Sequence, residues 1–187
     1  MRVIAGEKRH LLLKTLSDLS IRPTTDKIKE TLFNMIQFDI PGSNFLDLFA
    51  GSGAIGIEAL SRGANKATFV DNNDKAIKVI KENLEHTDLV DRAKVIKGDA
   101  SSVIDNLSKD GVKYDIIFMD PPYNKELYLP VFEKLSKSKI LDKDTKIILE
   151  VSLKDDALSV IDLGFEIVKV KKYKSNKHLF FKYKGAL

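Results

Sequence analysis

The chain has 187 residues, with 31 Lys and Arg against 27 Asp and Glu, a formal net charge of +4 and no cysteine. Without cysteine, disulfides and thiolate metal sites are excluded. No apolar run approaches the roughly 20 residues of a membrane span, and Met1–Glu7 lacks the apolar core of a signal peptide, so the expected location is the cytoplasm. A hydrophobic content of 43% and a charged content of 31% fit a globular protein large enough for a sizeable core. The positive balance is compatible with a nucleic-acid partner without requiring one.

Residues 1–22 are basic and weakly patterned, and read as a short N-terminal arm or hairpin ahead of a single domain over 23–187. Pro23, Thr24, Thr25 and Asp26 form a helix-start cluster. Ile28, Leu32, Met35 and Ile36 follow at helical spacing, which predicts a helix over about 25–38. After Pro41-Gly42 strands and helices alternate. Strands are predicted at Phe45–Phe49, Lys66–Val70, Lys94–Ile96, Tyr114–Met119 and Lys146–Val151. Helices are predicted at Ala54–Arg62, Asp74–Glu85, from near Ser101 or Ser102, and at about 125–137. This alternation implies a parallel sheet with helices on both faces. The end differs: Phe165–Val170 and His178–Tyr183 read as a hairpin around a Ser175-Asn176 turn.

Gly51-Ser52-Gly53-Ala54-Ile55-Gly56 follows the first strand and opens a helix. Glycines there allow a tight turn and close backbone approach to a ligand, with free N–H groups at the helix start. Asp71 lies 20 positions after Gly51, at the end of the next strand, where a carboxylate can accept both hydroxyls of a ribose. Asp47, four positions before Gly51, would repel a pyrophosphate and suits a ligand that carries an ammonium group. The reading is an adenosyl ligand with a methionyl end, S-adenosylmethionine; the alternative is a glycine turn kept for packing. Asp99 follows the third strand and can accept from an adenine amino group, with the Ala100 N–H against the ring. It can equally cap the helix that follows, and both can hold.

Asp120-Pro121-Pro122-Tyr123 ends the fourth strand, and strand carboxyl ends are where open α/β sheets place ligands. One proline would suffice to stop a strand. An exocyclic amino group on a base is a poor nucleophile because its lone pair is delocalised into the ring. A carboxylate and a rigidly aimed carbonyl that accept its N–H bonds can turn the lone pair toward a methyl group. Paired prolines supply that rigidity, and Tyr123 offers a stacking face worth roughly 1–3 kcal/mol. Asp120, Pro121, Pro122 and Tyr123 are therefore the candidate catalytic residues.

Asp47-Leu48-Phe49-Ala50-Gly51-Ser52-Gly53 with Asp120-Pro121-Pro122-Tyr123 resembles the amino-methyltransferase branch of class I methyltransferases. Arg22–Asn34 (RPTTDKIKETLFN), Met1–Gly6 and Gly56–Ala64 make the chain similar to the RsmD family over nearly its whole length. The resemblance implies an α/β, Rossmann-like class I fold: a mostly parallel seven-stranded sheet finished by the antiparallel hairpin. It implies methylation of N2 of one guanine in 16S ribosomal RNA, within a small ribosomal subunit or its assembly intermediate. It implies cofactor contacts at Asp47, Phe49, Ala50, Gly51, Ser52, Gly53, Asp71, Asn72, Asp99 and Ala100. It also brings Arg22, Thr25 and Asp26 to the site, with Thr25 toward the cofactor and Arg22 and Asp26 toward the substrate, although Thr25 or Asp26 could serve only as a helix cap. The chain departs from the family in Glu7–Leu11, which lacks a Trp-Arg-Gly-Arg-like stretch; Lys8 and Arg9 are the basic residues left there to meet RNA.

Lys8, Arg9, Lys14, Arg22, Lys27 and Lys29 near the N-terminus, and Lys169, Lys171, Lys172, Lys174 and Lys177 around the last hairpin, would form a phosphate-binding rim if they converge. The alternative is a solvated polar edge that deters aggregation. A paired guanine hides its amino group, so the target must be unpaired or flipped. His10, His86 and His178 show no metal spacing, and the reaction needs no metal. The same tetrapeptide would serve a DNA adenine-N6 or a protein glutamine methyltransferase. A non-catalytic RNA-binding assembly factor is the reading from another class.

Overall fold

A computed structural model describes residues 1–16, 26–122 and 126–185. Seven strands form one sheet in the order β3-β2-β1-β4-β5-β7-β6. The strands are β1 (Asn44–Leu48), β2 (Lys66–Asp71), β3 (Ala93–Lys97), β4 (Ile116–Met119), β5 (Lys146–Ser152), β6 (Phe165–Lys172) and β7 (Asn176–Tyr183). The first five run parallel. Strand β7 inserts antiparallel between β5 and β6. From β1 the chain moves outward to β2 and β3, then returns to the other side of β1 as β4. The carboxyl ends of β1 and β4 therefore flank the topological switch point, where such sheets bind ligands.

The central strands are buried on both faces, so they read as continuous apolar runs and not as alternating ones. One face carries α1 (Asp26–Met35), α2 (Ala54–Ser61) and α3 (Asp74–His86); the other carries α4 (Ala100–Lys109) and α5 (Tyr128–Ser136). All eight residues of α2 are buried. Gly56 lets this helix lie on the sheet, because a Cβ there would fall 2.3 Å from the Phe69 ring. Asn73 caps α3 by accepting the Lys75 N–H.

Three boundaries differ from the sequence reading. Helix α1 stops at Met35, and Ile36 and Ile40, which continue the apolar spacing, are buried from a turn instead. Tyr114 precedes β4 as a buried residue whose N–H reaches the Ile140 carbonyl. Asn176 is the first residue of β7, paired with Ser152, and not part of the turn.

Residues 1–16 fold back on themselves through an Arg2–Leu12 antiparallel bridge and bury Val3 and Leu13 in the same apolar cluster as α1 and α2. Glu58 of α2, fully buried, fastens them. It accepts the Ile4 and Ala5 N–H groups at 2.8 and 3.0 Å and pairs with Lys29 at 3.1 Å and Arg62 at 2.7 Å. Lys29 also donates to the Arg2 carbonyl. Burial lowers the Lys29 pKa, and Glu58 works against that shift.

Candidate active site

The loop between β1 and α2 alternates backbone hands. Phe49, Gly51 and Gly53 have φ of 65°, 56° and 78°. Such values come easily to glycine, whereas Phe49 holds its own against a penalty of about 1–3 kcal/mol, a form of strain that clusters at ligand sites. Ala50 extends the ladder by donating to the Val70 carbonyl, and the Gly53 N–H closes the turn on the Ala50 carbonyl at 2.7 Å. Ser52 lies between the two glycines, half-buried.

Five further predicted cofactor residues stand at or just past the carboxyl ends of β1, β2 and β3. Asp47 is 1% exposed and accepts the Gly56 N–H at 2.9 Å. Burial pushes its carboxyl up to about 7; the Gly56 bond opposes this and the Asp71 charge adds to it. Asp71 accepts the Gly51 N–H at 2.8 Å with one oxygen and the Asn73 N–H at 2.9 Å with the other. It thereby ties the loop to the exposed Asn72 turn. Asp99 caps α4, taking Ser101 and Ser102 N–H and both hydroxyls on Oδ1 alone. These bonds, the Ser101 hydroxyl foremost, hold its carboxyl below the usual range. The capping reading of Asp99 is therefore observed, and its Oδ2 points away from the four capping bonds. Ala100 is the buried first residue of that helix.

Sequence reasoning missed Asn83. It is buried on α3, donates to the Ser52 carbonyl at 2.9 Å, and exchanges hydrogen bonds with the Lys14 N–H and carbonyl at 2.8 and 3.0 Å. One amide thus joins the glycine loop to the N-terminal segment. Nothing local in the sequence marks it, since its partners lie 31 and 69 positions away.

Asp120 directly follows β4, with Pro121 buried and Pro122 exposed. Pro121, Pro122, Tyr128, Glu150, Ser152 and Asp155 line a narrow cleft. It shares Glu126, Tyr128, Ser152 and Asp155 with an open cavity of about 680 Å³ at the carboxyl end of β5, within the size range of small-molecule sites. Asp155 braces that wall by accepting from the Tyr128 hydroxyl at 3.0 Å and the Ala157 N–H at 2.9 Å. Burial, then Asp155, pushes the Tyr128 phenol well above its usual range.

The predicted substrate residues do not gather as a group. Arg22, Thr25 and Tyr123 lie outside the described residues. Asp26 opens α1 and pairs with Arg2 at 3.3 Å. Lys8 meets Ser61 and Asp88. Ser61 ends α2, roughly 12 Å along the helix from the glycine loop, so Lys8 and its neighbour Arg9 sit toward the amino-terminal end of the sheet, away from Asp120. Two lysines of the expected rim are also spent internally. Lys29 is bound to Glu58, and Lys177, 2% exposed, holds Asp156 and the Leu153 carbonyl. Lys171, Lys172 and Lys174 remain exposed at the hairpin tip, which lies at the carboxyl end of β5.

Comparison with known proteins agrees with this layout. A family model described as "Conserved hypothetical protein 95" matches residues 1–182. A Bacillus subtilis protein named "Putative rRNA methyltransferase YlbH" is 42% identical over 80% of this chain and 82% of its own length. The "Ribosomal RNA small subunit methyltransferase D" of Haemophilus influenzae is 34% identical over 80% of this chain and 78% of its own. The solved structure called "Putative methyltransferase yhhF from Escherichia coli" superposes with a TM-score of 0.82 at 29% identity, covering 100% of this chain and 99% of the other. The fold is that of class I methyltransferases, and the chain belongs to the Conserved hypothetical protein 95 family, the RsmD family that its motifs resemble.

Proposed function

We propose that this protein transfers the methyl group of S-adenosylmethionine to the exocyclic N2 of a guanine in 16S ribosomal RNA. The observation that carries this reading is the position of Asp120-Pro121-Pro122. The turn ends β4 at the switch point, beside the glycine loop that ends β1. The names of the relatives support ribosomal RNA as acceptor.

The residues present fit the methyl donor. Asp47 is a buried carboxylate that, among the described residues, accepts from one backbone donor, and an ammonium group would complete its pairing. Asp71 keeps lone pairs for ribose hydroxyls while bound to Gly51 and Asn73, and Asp99 Oδ2 suits an adenine amino group. Bound there, the donor supplies an electrophilic methyl on a sulfonium centre. The protein's part is positioning and electrostatics. Asp120 and the Pro121 carbonyl accept the two N–H bonds of the target amine and turn its lone pair outward, and Tyr123 stacks on the base. As the carbon–nitrogen bond forms and the carbon–sulfur bond breaks, one N–H proton passes to Asp120.

Lys171, Lys172 and Lys174 supply phosphate contacts at the same end of the molecule, while Arg22 and Asp26 are the residues that the family resemblance brings toward the substrate. We place this work in the cytoplasm, on a small subunit or its precursor; no described helix is long and apolar enough to cross a membrane. The test is incubation with tritiated S-adenosylmethionine and small subunits lacking the modification, followed by nucleoside analysis. Label in N2-methylguanosine is expected. Label in another nucleoside, or only in protein, would refute the reading.

A further inference from the structure

Behind the Asp120 turn the sheet contains a chain of polar side chains that the mechanism above leaves unused. Glu150 on β5 is 3% exposed, and Asn176 and His178 on β7 are 4% and 0%. Glu150 and His178 are directly opposed in the antiparallel ladder. The Asn176 amide N–H donates to Glu150 Oε1. His178 Nε2 lies 2.9 Å from Glu150 Oε2, and its Nδ1 lies 3.0 Å from the Tyr173 hydroxyl. The His178 ring also meets Phe118 edge-on at 5.9 Å, two residues before Asp120.

The protons of this chain can be assigned. Burial, and then the Glu150 charge, pushes the Tyr173 phenol up to about 12. Tyr173 therefore keeps its proton; donated to Nδ1, it leaves the Nε2–H of His178 to donate to Glu150. Two N–H donors, from Asn176 and His178, favour the carboxylate form of Glu150. Every proton already points inward, so the chain has no vacancy through which to carry one out. It fixes a charge; it is not a relay. Stability alone does not explain it, because apolar side chains of similar volume often serve a sheet interior as well or better. Asn176 Oδ1 is moreover buried with no hydrogen-bond partner among the described residues, a cost a purely structural cluster would shed.

The fixed charge has a neighbour. The last β4–β5 pair is Met119 with Leu149, and Pro121 and Glu150 line the same cleft; continued by one residue, the parallel register brings Asp120 next to Glu150, on strands spaced about 4.8 Å apart. We propose that Glu150 is a positioning residue for the transfer: a buried carboxylate, oriented by His178 and Asn176, whose charge makes Asp120 a stronger acceptor for the proton released by the amine. The inference rests on the methyltransferase reading above. Among the described residues, the other titratable groups near this end are Asp47 on β1, Tyr173 behind His178, Asp26 on α1, which pairs with Arg2, and Glu126, Tyr128 and Asp155, which line the cleft with Glu150. Burial pushes Asp47 up to about 7, so the measurement uses kcat with methyl donor and RNA both saturating, where the ammonium partner holds Asp47 charged.

Glu150→Gln is the variant to make. Asn176 can turn its amide so that Oδ1 accepts from the new amide nitrogen, while the Gln oxygen still accepts from His178. Loss of the charge is expected to lower kcat about tenfold and to move the acidic limb of the kcat–pH profile down by on the order of one pH unit. Glu150→Asp, which keeps the charge, should leave that limb in place even if the rate falls. Glu150→Met removes the charge without adding an amide and should shift the limb as Glu150→Gln does. An unmoved limb in either neutral variant, whatever happens to the rate, overturns the proposal, as does an equal shift in Glu150→Asp. Wild-type protein run alongside separates the two claims. Its failure to label RNA refutes the methyltransferase reading and the inference with it. An active wild type with unmoved variants refutes the inference alone.

Discussion

Two carboxylates are buried against helix α2 and meet opposite fates. Glu58, 0% exposed, is surrounded by two backbone N–H groups, Lys29 and Arg62. Asp47, 1% exposed, accepts from one backbone N–H among the described residues and is pushed up to about 7. The first is a finished network that fastens the N-terminal segment. The second is an unfinished one at the glycine loop, and a cationic ligand would finish it. Burying a carboxylate therefore does not by itself mark a site; the count and kind of its donors does.

The comparison can be broken most forcefully from the structural side. Glu58→Gln would leave Lys29 buried without its counter-charge, a loss of about 3–5 kcal/mol. Urea unfolding should show it at unchanged m-value. A variant as stable as wild type would make the network ornamental. On the functional side, Asp120→Ala should lower transfer roughly 10²–10³-fold while calorimetry shows methyl-donor affinity nearly unchanged. Activity within about tenfold of wild type would remove Asp120 from the chemistry.

Asp47→Asn should move stability and binding in opposite directions. The folded carboxyl titrates at about 7, above the ordinary carboxylate value of about 3.9. The fold thus binds a proton that the unfolded chain releases, and wild-type stability declines as pH rises from about 4 to about 7. Asparagine escapes that decline. Its melting temperature should exceed wild type by an amount that grows over this window and then levels, reaching about 8–16 °C at pH 8. Donor affinity should fall roughly 10–100-fold through loss of a charged hydrogen bond. Wild-type affinity should itself weaken as pH drops below about 7. A melting-temperature difference independent of pH would refute the assignment. Smallest is Asp99→Ala, expected to cost about 1 kcal/mol as a lost cap. If donor affinity also falls, Asp99 both caps and binds; if only stability falls, it caps alone.

The alternation of strands and helices was legible because each element carries its own apolar period, and the glycine loop and the Asp120 turn because their residues are contiguous. Lys29 and Lys177 looked like surface cations by type. Only tertiary contacts, with Glu58 and with Asp156, reveal them as internal. Asn83, Glu150 and His178 were invisible for the same reason: their partners are set by helix packing and strand register over tens of residues. The position of Lys8 and Arg9 was not legible either, since the segment that carries them folds back along α2 toward its far end.

The Asn83 contacts also bear on how the chain is made. Lys14 leaves the ribosome 69 residues before the amide that anchors it, an interval of about 3–14 s at ordinary elongation rates. Within it α1 and then α2 emerge and can begin to cover Val3 and Leu13, while the Lys14 end stays unanchored. The Lys14 end of the amino-terminal segment can therefore be fastened only after α3 is made. Slow codons or chaperone loss before that point should trap nascent chains with this seam unsealed.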